Sequence, residues 1–160
     1  MPFSKLKLTW SFALLALPAS SQQVPAGTIS VELLRYPISN ETRRMLQKAV
    51  QASETGDHSG AAKQLRHILI KSPGADAYVY SLLGVEYLKT GQITEAVDAL
   101  QQAVALLPHD AANHANLGLA LACKGQYDRA EPELARALEL DRHNKVASQL
   151  LSSLPLTATK

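Results

Sequence analysis

The feature that most constrains this chain is a pattern of about 34 residues that occurs twice in succession. The first copy is Ala77–Asp110 and the second is Ala111–Asn144. Aligned without a gap, their identities include Leu83 with Leu117, Gly84 with Gly118, Gly91 with Gly125, Gln92 with Gln126, Ala96 with Ala130, Leu100 with Leu134, Ala103 with Ala137 and Leu106 with Leu140. Because so short a unit cannot bury its apolar side alone, tandem copies at this period predict helix pairs stacked into a solenoid.

The spacing of apolar residues divides each copy into two amphipathic helices. In the first copy they recur every three or four residues, at Val79, Leu82, Leu83, Tyr87 and Leu88 and again at Ile93, Val97, Leu100, Val104 and Leu107. Gly91 lies between the two runs and is suited to ending the first helix. Gly84 and Ala96 are small enough to let the helices approach closely. The predicted unit is a hairpin of two helices, each roughly 20 Å long.

This order of residue types resembles the tetratricopeptide repeat family. The pattern of that family has an aromatic or large residue at the fourth position, Leu-Gly at the seventh and eighth, Tyr at the eleventh, alanine at the twentieth and twenty-seventh, an aromatic residue or Leu at the twenty-fourth, and proline at the thirty-second. The first copy meets it at Tyr80, Leu83, Gly84, Tyr87, Ala96, Leu100, Ala103 and Pro108. At the same positions the second copy supplies His114, Leu117, Gly118, Leu121, Ala130, Leu134 and Ala137, and it departs at Arg142, where proline is expected. The resemblance implies an all-α fold, a right-handed α-solenoid.

Two further segments extend the array to about three repeats. Residues 42–75 form a degenerate copy, whose first helix can be capped by Ser39 or Asn40. Residues 145–154 have apolar residues on one face and predict a short capping helix over the end of the stack, at Val146, Leu150, Leu151 and Leu154. Residues 155–160 are expected to be a disordered tail.

The N-terminal segment has the three parts of a secretory signal peptide. Two lysines precede an apolar run from Leu8 to Leu17, and small residues follow. The run is about ten residues, short of the roughly twenty that span a bilayer. We therefore expect residues 1–21 to be removed on export, after Ser21 or after Ala26, with no stable membrane insertion afterwards; an uncleaved anchor is the alternative. An exported repeat protein without disulfides favours a bacterial envelope, as a periplasmic or secreted protein.

Loss of that segment makes the chain nearly neutral. The full chain has 16 Lys and Arg against 14 Asp and Glu, and removal of Lys5 and Lys7 leaves 14 basic against 14 acidic residues. A balanced, mixed surface has no electrostatic footprint for a polyanion. We therefore expect no nucleic-acid partner.

Residues 22–39 are expected to be a linker that can include a short strand. Thr28–Arg35 alternates Ile29, Val31 and Leu33 with other residues, which is a strand pattern. One hypothesis is that this arm packs along the solenoid until a partner displaces it. The other is that it is a loosely docked or disordered linker.

The resemblance also implies where a partner would bind. In this family the first helix of each repeat lines a concave groove. The matching residues here are Tyr78, Ser81, Val85, Leu88, Ala112, Ala115, Asn116 and Leu119. Because the Lys and Arg that grip a carboxylate in some members are nearly missing, the groove implies an apolar or amphipathic peptide anchored by Tyr78 and Leu88. The competing expectation is that neighbouring helices or the Thr28–Arg35 arm cover this surface.

A few residues permit a chemical function instead. Cys123 is the only cysteine, so no internal disulfide is possible; we expect it to be buried, with reactivity or dimerisation as the alternative. His109 and His114 could contribute to a metal site, but their spacing is not that of a helical zinc site, and no cofactor is expected. Pro132 should be tolerated near the start of its helix, with a bend.

Two functions therefore stay open on the sequence. The first is an exported interaction module, not an enzyme, that acts as an adaptor or scaffold for a protein or peptide partner. The second is an accessory subunit with a reactive thiol or metal site at Cys123 or at His109 and His114. Self-association of the array is a further option.

Overall fold

The computed structural model describes residues 38–72 and 74–154, and this part of the chain is entirely helical. The seven described helices are α1 Asn40–Glu54, α2 His58–Lys71, α3 Asp76–Lys89, α4 Ile93–Leu106, α5 Ala111–Cys123, α6 Tyr127–Leu140 and α7 Lys145–Ser153. The expected signal peptide, the Thr28–Arg35 strand and the C-terminal tail lie outside the described residues. None of the described helices is long and apolar enough to cross a membrane.

The helices pack in chain order as three hairpins and a terminal helix. α1 packs on α2, α3 on α4 and α5 on α6, while α2 also contacts α3 and α4 also contacts α5. α7 packs on both helices of the third hairpin. This arrangement is a solenoid of three helical hairpins followed by a capping helix, and it confirms the predicted fold class.

Side-chain caps mark where several helices begin. The side chains of Ser39, Asp57, Asp110 and Asn144 each accept a backbone N–H from the first turn of α1, α2, α5 and α7. Each such cap stabilises a helix by about 1 kcal/mol. Ser39, rather than Asn40, is the cap of α1, and Asn40 is the first helical residue.

The turn inside every hairpin depends on a glycine in the left-handed region. Gly56, Gly91 and Gly125 have φ values of 85°, 75° and 77°. In the second hairpin the N–H of Gln92, the residue after the glycine, donates to the carbonyl of Tyr87 at 2.9 Å, which closes the helix end. A residue with a Cβ is strained in this conformation, so the glycines fix where the chain reverses.

The second helices of the three hairpins share one register. Each buries three residues at equivalent places, with relative exposures of 0–1%: Ala61, Leu65 and Ile68 in α2, Ala96, Leu100 and Ala103 in α4, and Ala130, Leu134 and Ala137 in α6. Gly118 lies against one of these leucines, and a Cβ built on it would come 2.6 Å from Leu134 Cγ. Gly84, for which the sequence predicts a close approach, lies in the same way against Leu100, so the two helices of each of these hairpins approach closely because a Cβ is missing.

Pro132 lies inside α6 without interrupting it. It is the sixth residue of the helix and is exposed. A proline there removes one hydrogen bond, to the carbonyl of Asp128, close to the end where amide partners are already missing. Its position therefore explains why the helix tolerates it.

Candidate functional site

The residues expected to line a groove come from the first helix of a hairpin, so we call the surface formed by α1, α3 and α5 the first-helix face. The structure leaves six of the eight half-buried, with part of each side chain accessible: Tyr78, Ser81, Val85, Leu88, Asn116 and Leu119. Ala112 is exposed and Ala115 is buried. The accessible apolar part of this face therefore centres on α3.

The capping helix removes one expected groove residue from the surface. Ala115 is only 2% exposed and belongs to a buried cluster that also contains Ala147 and Leu150 of α7. Leu119 packs against the same cluster. α7 thus covers α5 as the first helix of a further repeat would, so Ala115 has no surface to offer a ligand.

Tyr78 and Leu88 combine packing with exposure. Both side chains pack against the N-terminal core cluster while remaining partly accessible. Burial raises the pKa of the Tyr78 hydroxyl. Because one side of each residue is already held by the core, a ligand that contacts them would meet pre-positioned side chains rather than mobile ones.

Ser81 is engaged in a contact between repeats. Its hydroxyl donates to Oδ1 of Asn113 at 2.5 Å, which joins α3 to α5. Asn113 is 1% exposed and its Nδ2 has no hydrogen-bond partner. The burial of Asn113 was not predicted, although the equivalent residue of the preceding repeat, Val79, is apolar and lies at a core position, where it is fully buried.

A buried carboxylate joins the first two hairpins. Glu86 is 3% exposed; Ser53 donates to its Oε1 at 2.7 Å, and His58 Nδ1 lies 2.8 Å from its Oε2. Lys89 Nζ donates to Oε1 at 3.2 Å. Both oxygens are therefore satisfied by neighbours from α1, α2 and α3, as a buried charge requires. This cluster, too, was missed; the equivalent residue in the next repeat is the apolar Ala120.

The two histidines offered as metal ligands lie in different settings. His114 is buried, with Nδ1 2.7 Å from Glu133 Oε2 and Nε2 3.1 Å from the carbonyl oxygen of Pro108. While both contacts are made, neither ring nitrogen has a lone pair free for a metal. His109 is exposed in the turn before α5. Across the described ranges, no three His, Cys, Asp or Glu side chains lie together as a metal site would need.

The prediction that Cys123 is buried is wrong. The residue is the last of α5 and is exposed. The chain turns immediately afterwards, at Lys124 and Gly125, so no further helix covers the side chain. Partial desolvation raises the pKa of the thiol, which lowers the thiolate population at neutral pH and does not favour a reactive nucleophile.

Comparison with known proteins agrees with this geometry. The tetratricopeptide repeat family model matches residues 81–145. These residues are tetratricopeptide repeats. No curated protein matches the chain.

Several solved structures share the tetratricopeptide repeat fold. A mutant of the O-GlcNAc transferase of Thermobaculum terrenum is 31% identical with a TM-score of 0.63 over 69% of this chain, but the match spans only 21% of the transferase. The Sgt2 tetratricopeptide repeat domain of Aspergillus fumigatus has 19% identity and a TM-score of 0.66, over 71% of this chain and 76% of that domain. The second such domain of human RPAP3, solved with the HSP70 peptide SGPTIEEVD, has 25% identity and a TM-score of 0.62, over 68% and 89%.

Within the tetratricopeptide repeat array, polar and apolar residues have separate tasks. Buried polar contacts, at Glu86 and Asn113, join one repeat to the next, while the half-buried part of the first-helix face on α3 is mainly apolar. None of the eight expected groove residues is charged. The arrangement is suited to holding another chain by apolar contact.

Proposed function

We propose that this chain is an exported interaction module whose tetratricopeptide repeats hold an apolar or amphipathic peptide segment of a partner protein on the first-helix face. The observation that carries the proposal is the half-buried apolar surface of α3, formed by Tyr78, Val85 and Leu88. Partly accessible apolar and aromatic side chains of this kind supply much of the binding energy at protein interfaces. The module acts by binding and needs no catalytic residue.

The human RPAP3 domain, which was solved with a bound peptide, supports peptide binding by this fold. The charges on the present chain, however, favour a different kind of peptide. The RPAP3 domain holds SGPTIEEVD, a peptide that ends in acidic residues. Here the expected groove residues are uncharged, and the amine of Lys89 is already 3.2 Å from the Glu86 carboxylate. An acidic peptide would therefore find little positive charge near α3. Apolar side chains in the ligand fit this surface better.

A peptide library displayed on phage tests the proposal directly. The wild-type protein should enrich peptides with large apolar residues, and should bind SGPTIEEVD far more weakly than those peptides. The Tyr78→Ala, Leu88→Ala double variant should lose this enrichment. A matched control is Tyr127→Ala with Leu140→Ala, which removes the same side-chain types from α6. Equal binding by both double variants, or preferential binding of SGPTIEEVD, would contradict the proposed ligand class.

Export is a separate part of the proposal and needs its own measurement. It is motivated by the charged, apolar and small-residue parts of residues 1–21. Expression in a bacterial host followed by mass spectrometry of the periplasmic fraction should find a chain that begins at Gln22 or Gly27. A full-length chain retained in the cytoplasm would refute export without affecting peptide binding.

A further inference from the structure

On the opposite surface, formed by α2, α4 and α6, the helices α2 and α4 carry charges of opposite sign. α2 contains Lys63, Arg66 and Lys71 and no acidic residue, whereas α4 contains Glu95 and Asp98 and no basic one. All five are exposed. Between the two helices lies a cleft of about 340 Å³, which we call the second-helix cleft; its floor includes Leu69, Tyr80, Leu83, Tyr87 and Ala99.

The two acidic residues at this cleft have no cationic partner within the described ranges. The charged contacts of the described residues lie elsewhere: His58 and Lys89 contact Glu86, His114 contacts Glu133, and Arg136 contacts Glu139. Arg66, on the opposite wall, donates instead to the Tyr87 hydroxyl at 3.3 Å. Glu95 and Asp98 are three residues apart on one helix, a spacing at which like charges repel. A cation from outside the molecule would relieve this repulsion.

The source of that cation follows from the register of the repeats. α2 and α4 have 14 residues each and bury residues of the same ranks, so residues of equal rank point to the same side of the two helices. Lys63 is the sixth residue of α2 and Asp98 is the sixth of α4. Opposite charges therefore occupy equivalent places on the exposed sides of the two helices that flank the cleft.

We propose that the second-helix cleft is a twofold interface between two copies of this chain. Rotation by half a turn about an axis that runs along the cleft, parallel to the helices, places α2 of each copy on α4 of the other without changing the level of any residue. Lys63 of each copy then faces Asp98 of the other. Such an interface is self-complementary, because the same contact is made twice.

Exposed apolar residues support the same pairing of α2 with α4, independently of the charges. Ile70 is 78% exposed and Leu106 is 49% exposed, the two largest values among the large apolar residues described. Ile70 is the thirteenth residue of α2, and Ala105 is the thirteenth residue of α4. Leu106 is the next residue after Ala105. The rotation that pairs the charges also brings Ile70 of each copy onto Ala105 and Leu106 of the other. Both contacts lie away from the first-helix face, so peptide binding and dimer formation are separable.

A charge swap measured by sedimentation equilibrium tests this interface. The wild-type protein should have twice the monomer mass at about 0.1 M salt and should dissociate towards about 1 M, where the screening length falls to roughly 3 Å. Lys63→Glu and Asp98→Lys should each be monomeric alone, because like charges then meet twice. An equimolar mixture of the two should recover the dimer, because the two swapped residues pair with each other and the two native residues also pair.

Further variants distinguish this interface from other modes of association. Ile70→Ser removes an apolar side chain from each copy and should weaken the dimer by about a hundredfold, which is roughly tenfold for each of the two. The control pair, Lys48→Glu on α1 and Glu131→Lys on α6, should leave the mass unchanged. A wild-type monomer at all concentrations, a mixture that stays monomeric, or a dimer that survives either swap would overturn the proposal. None of these results depends on whether a peptide binds.

Discussion

The carboxylate of Glu133 on α6 lies 2.7 Å from Nδ1 of His114 on α5, and Nε2 of the same ring lies 3.1 Å from the carbonyl oxygen of Pro108. One buried imidazole thus ties together both helices of the third hairpin and the turn that precedes it. A polar residue at a core position is stable here because both of its nitrogens have oxygen partners. This contact gives the ring a structural task in place of a metal-binding one.

Replacing His114 should therefore destabilise the protein. His114→Ala removes two hydrogen bonds and leaves a cavity, and we expect a loss of about 2–4 kcal/mol in the free energy of unfolding, measured by urea titration. His67→Ala, at an exposed histidine of α2, should change it by less than about 0.5 kcal/mol. Equal stabilities of the two variants would show that the His114 contacts contribute nothing.

The Glu86 cluster makes a second stability prediction. Glu86→Ala removes the shared acceptor of Ser53, His58 and Lys89, so we expect a loss of about 2–4 kcal/mol. Glu86→Gln retains one acceptor oxygen and should cost less. Glu139, whose side chain is 65% exposed in its pair with Arg136, provides the contrast: Glu139→Ala should cost less than about 1 kcal/mol. The order of the three unfolding midpoints checks the account, and Glu139→Ala as the most destabilising variant would contradict it.

For the Ser81–Asn113 pair we predict a double substitution that does not destabilise the protein. Asn113 Nδ2 is buried without a partner, and the equivalent place in the preceding repeat is Val79. Replacing both polar partners by apolar residues, as Ser81→Ala with Asn113→Val, should leave stability unchanged or raise it by about 1 kcal/mol. Asn113→Val alone leaves the Ser81 hydroxyl without its acceptor and should be less stable than the double variant. A double variant less stable than either single one would refute this reading of the pair.

Tyr78 makes stability depend on alkaline pH. Burial raises its pKa above the ordinary value of 10.0, so the folded state holds the phenolic proton more tightly than the unfolded state does. Protonated Tyr78 therefore contributes to the stability of the folded state. This contribution is fully present below pH 10 and is lost as the pH rises through the raised pKa. Tyr78→Phe should therefore lose less stability than the wild type between about pH 9 and pH 11. Parallel unfolding curves for the two proteins over that range would contradict the assignment.

The hairpins were predictable because single residue types act directly on the backbone. Glycine ends the first helix at Gly91 and Gly125, and a missing Cβ at Gly118 admits Leu134, so the repeat pattern locates both turn and contact. The buried contacts of Glu86 and Asn113 could not be predicted in this way. Both residues lie at positions that the family pattern leaves free, and their partners come from other repeats. The exposure of Cys123 and the burial of Ala115 depend likewise on whether a later helix covers them. Sequence spacing alone does not determine that.

Hydrogen exchange of the wild-type protein, with and without a phage-selected apolar peptide, tests the central claim most directly. If the first-helix face is the binding surface, the peptide should slow exchange in α3, chiefly around Tyr78–Leu88, and leave α2 and α4 unchanged. The Tyr78→Ala, Leu88→Ala variant should show no such protection. Protection confined to α2 and α4, or an unchanged α3 in the presence of a peptide that binds, would contradict the account.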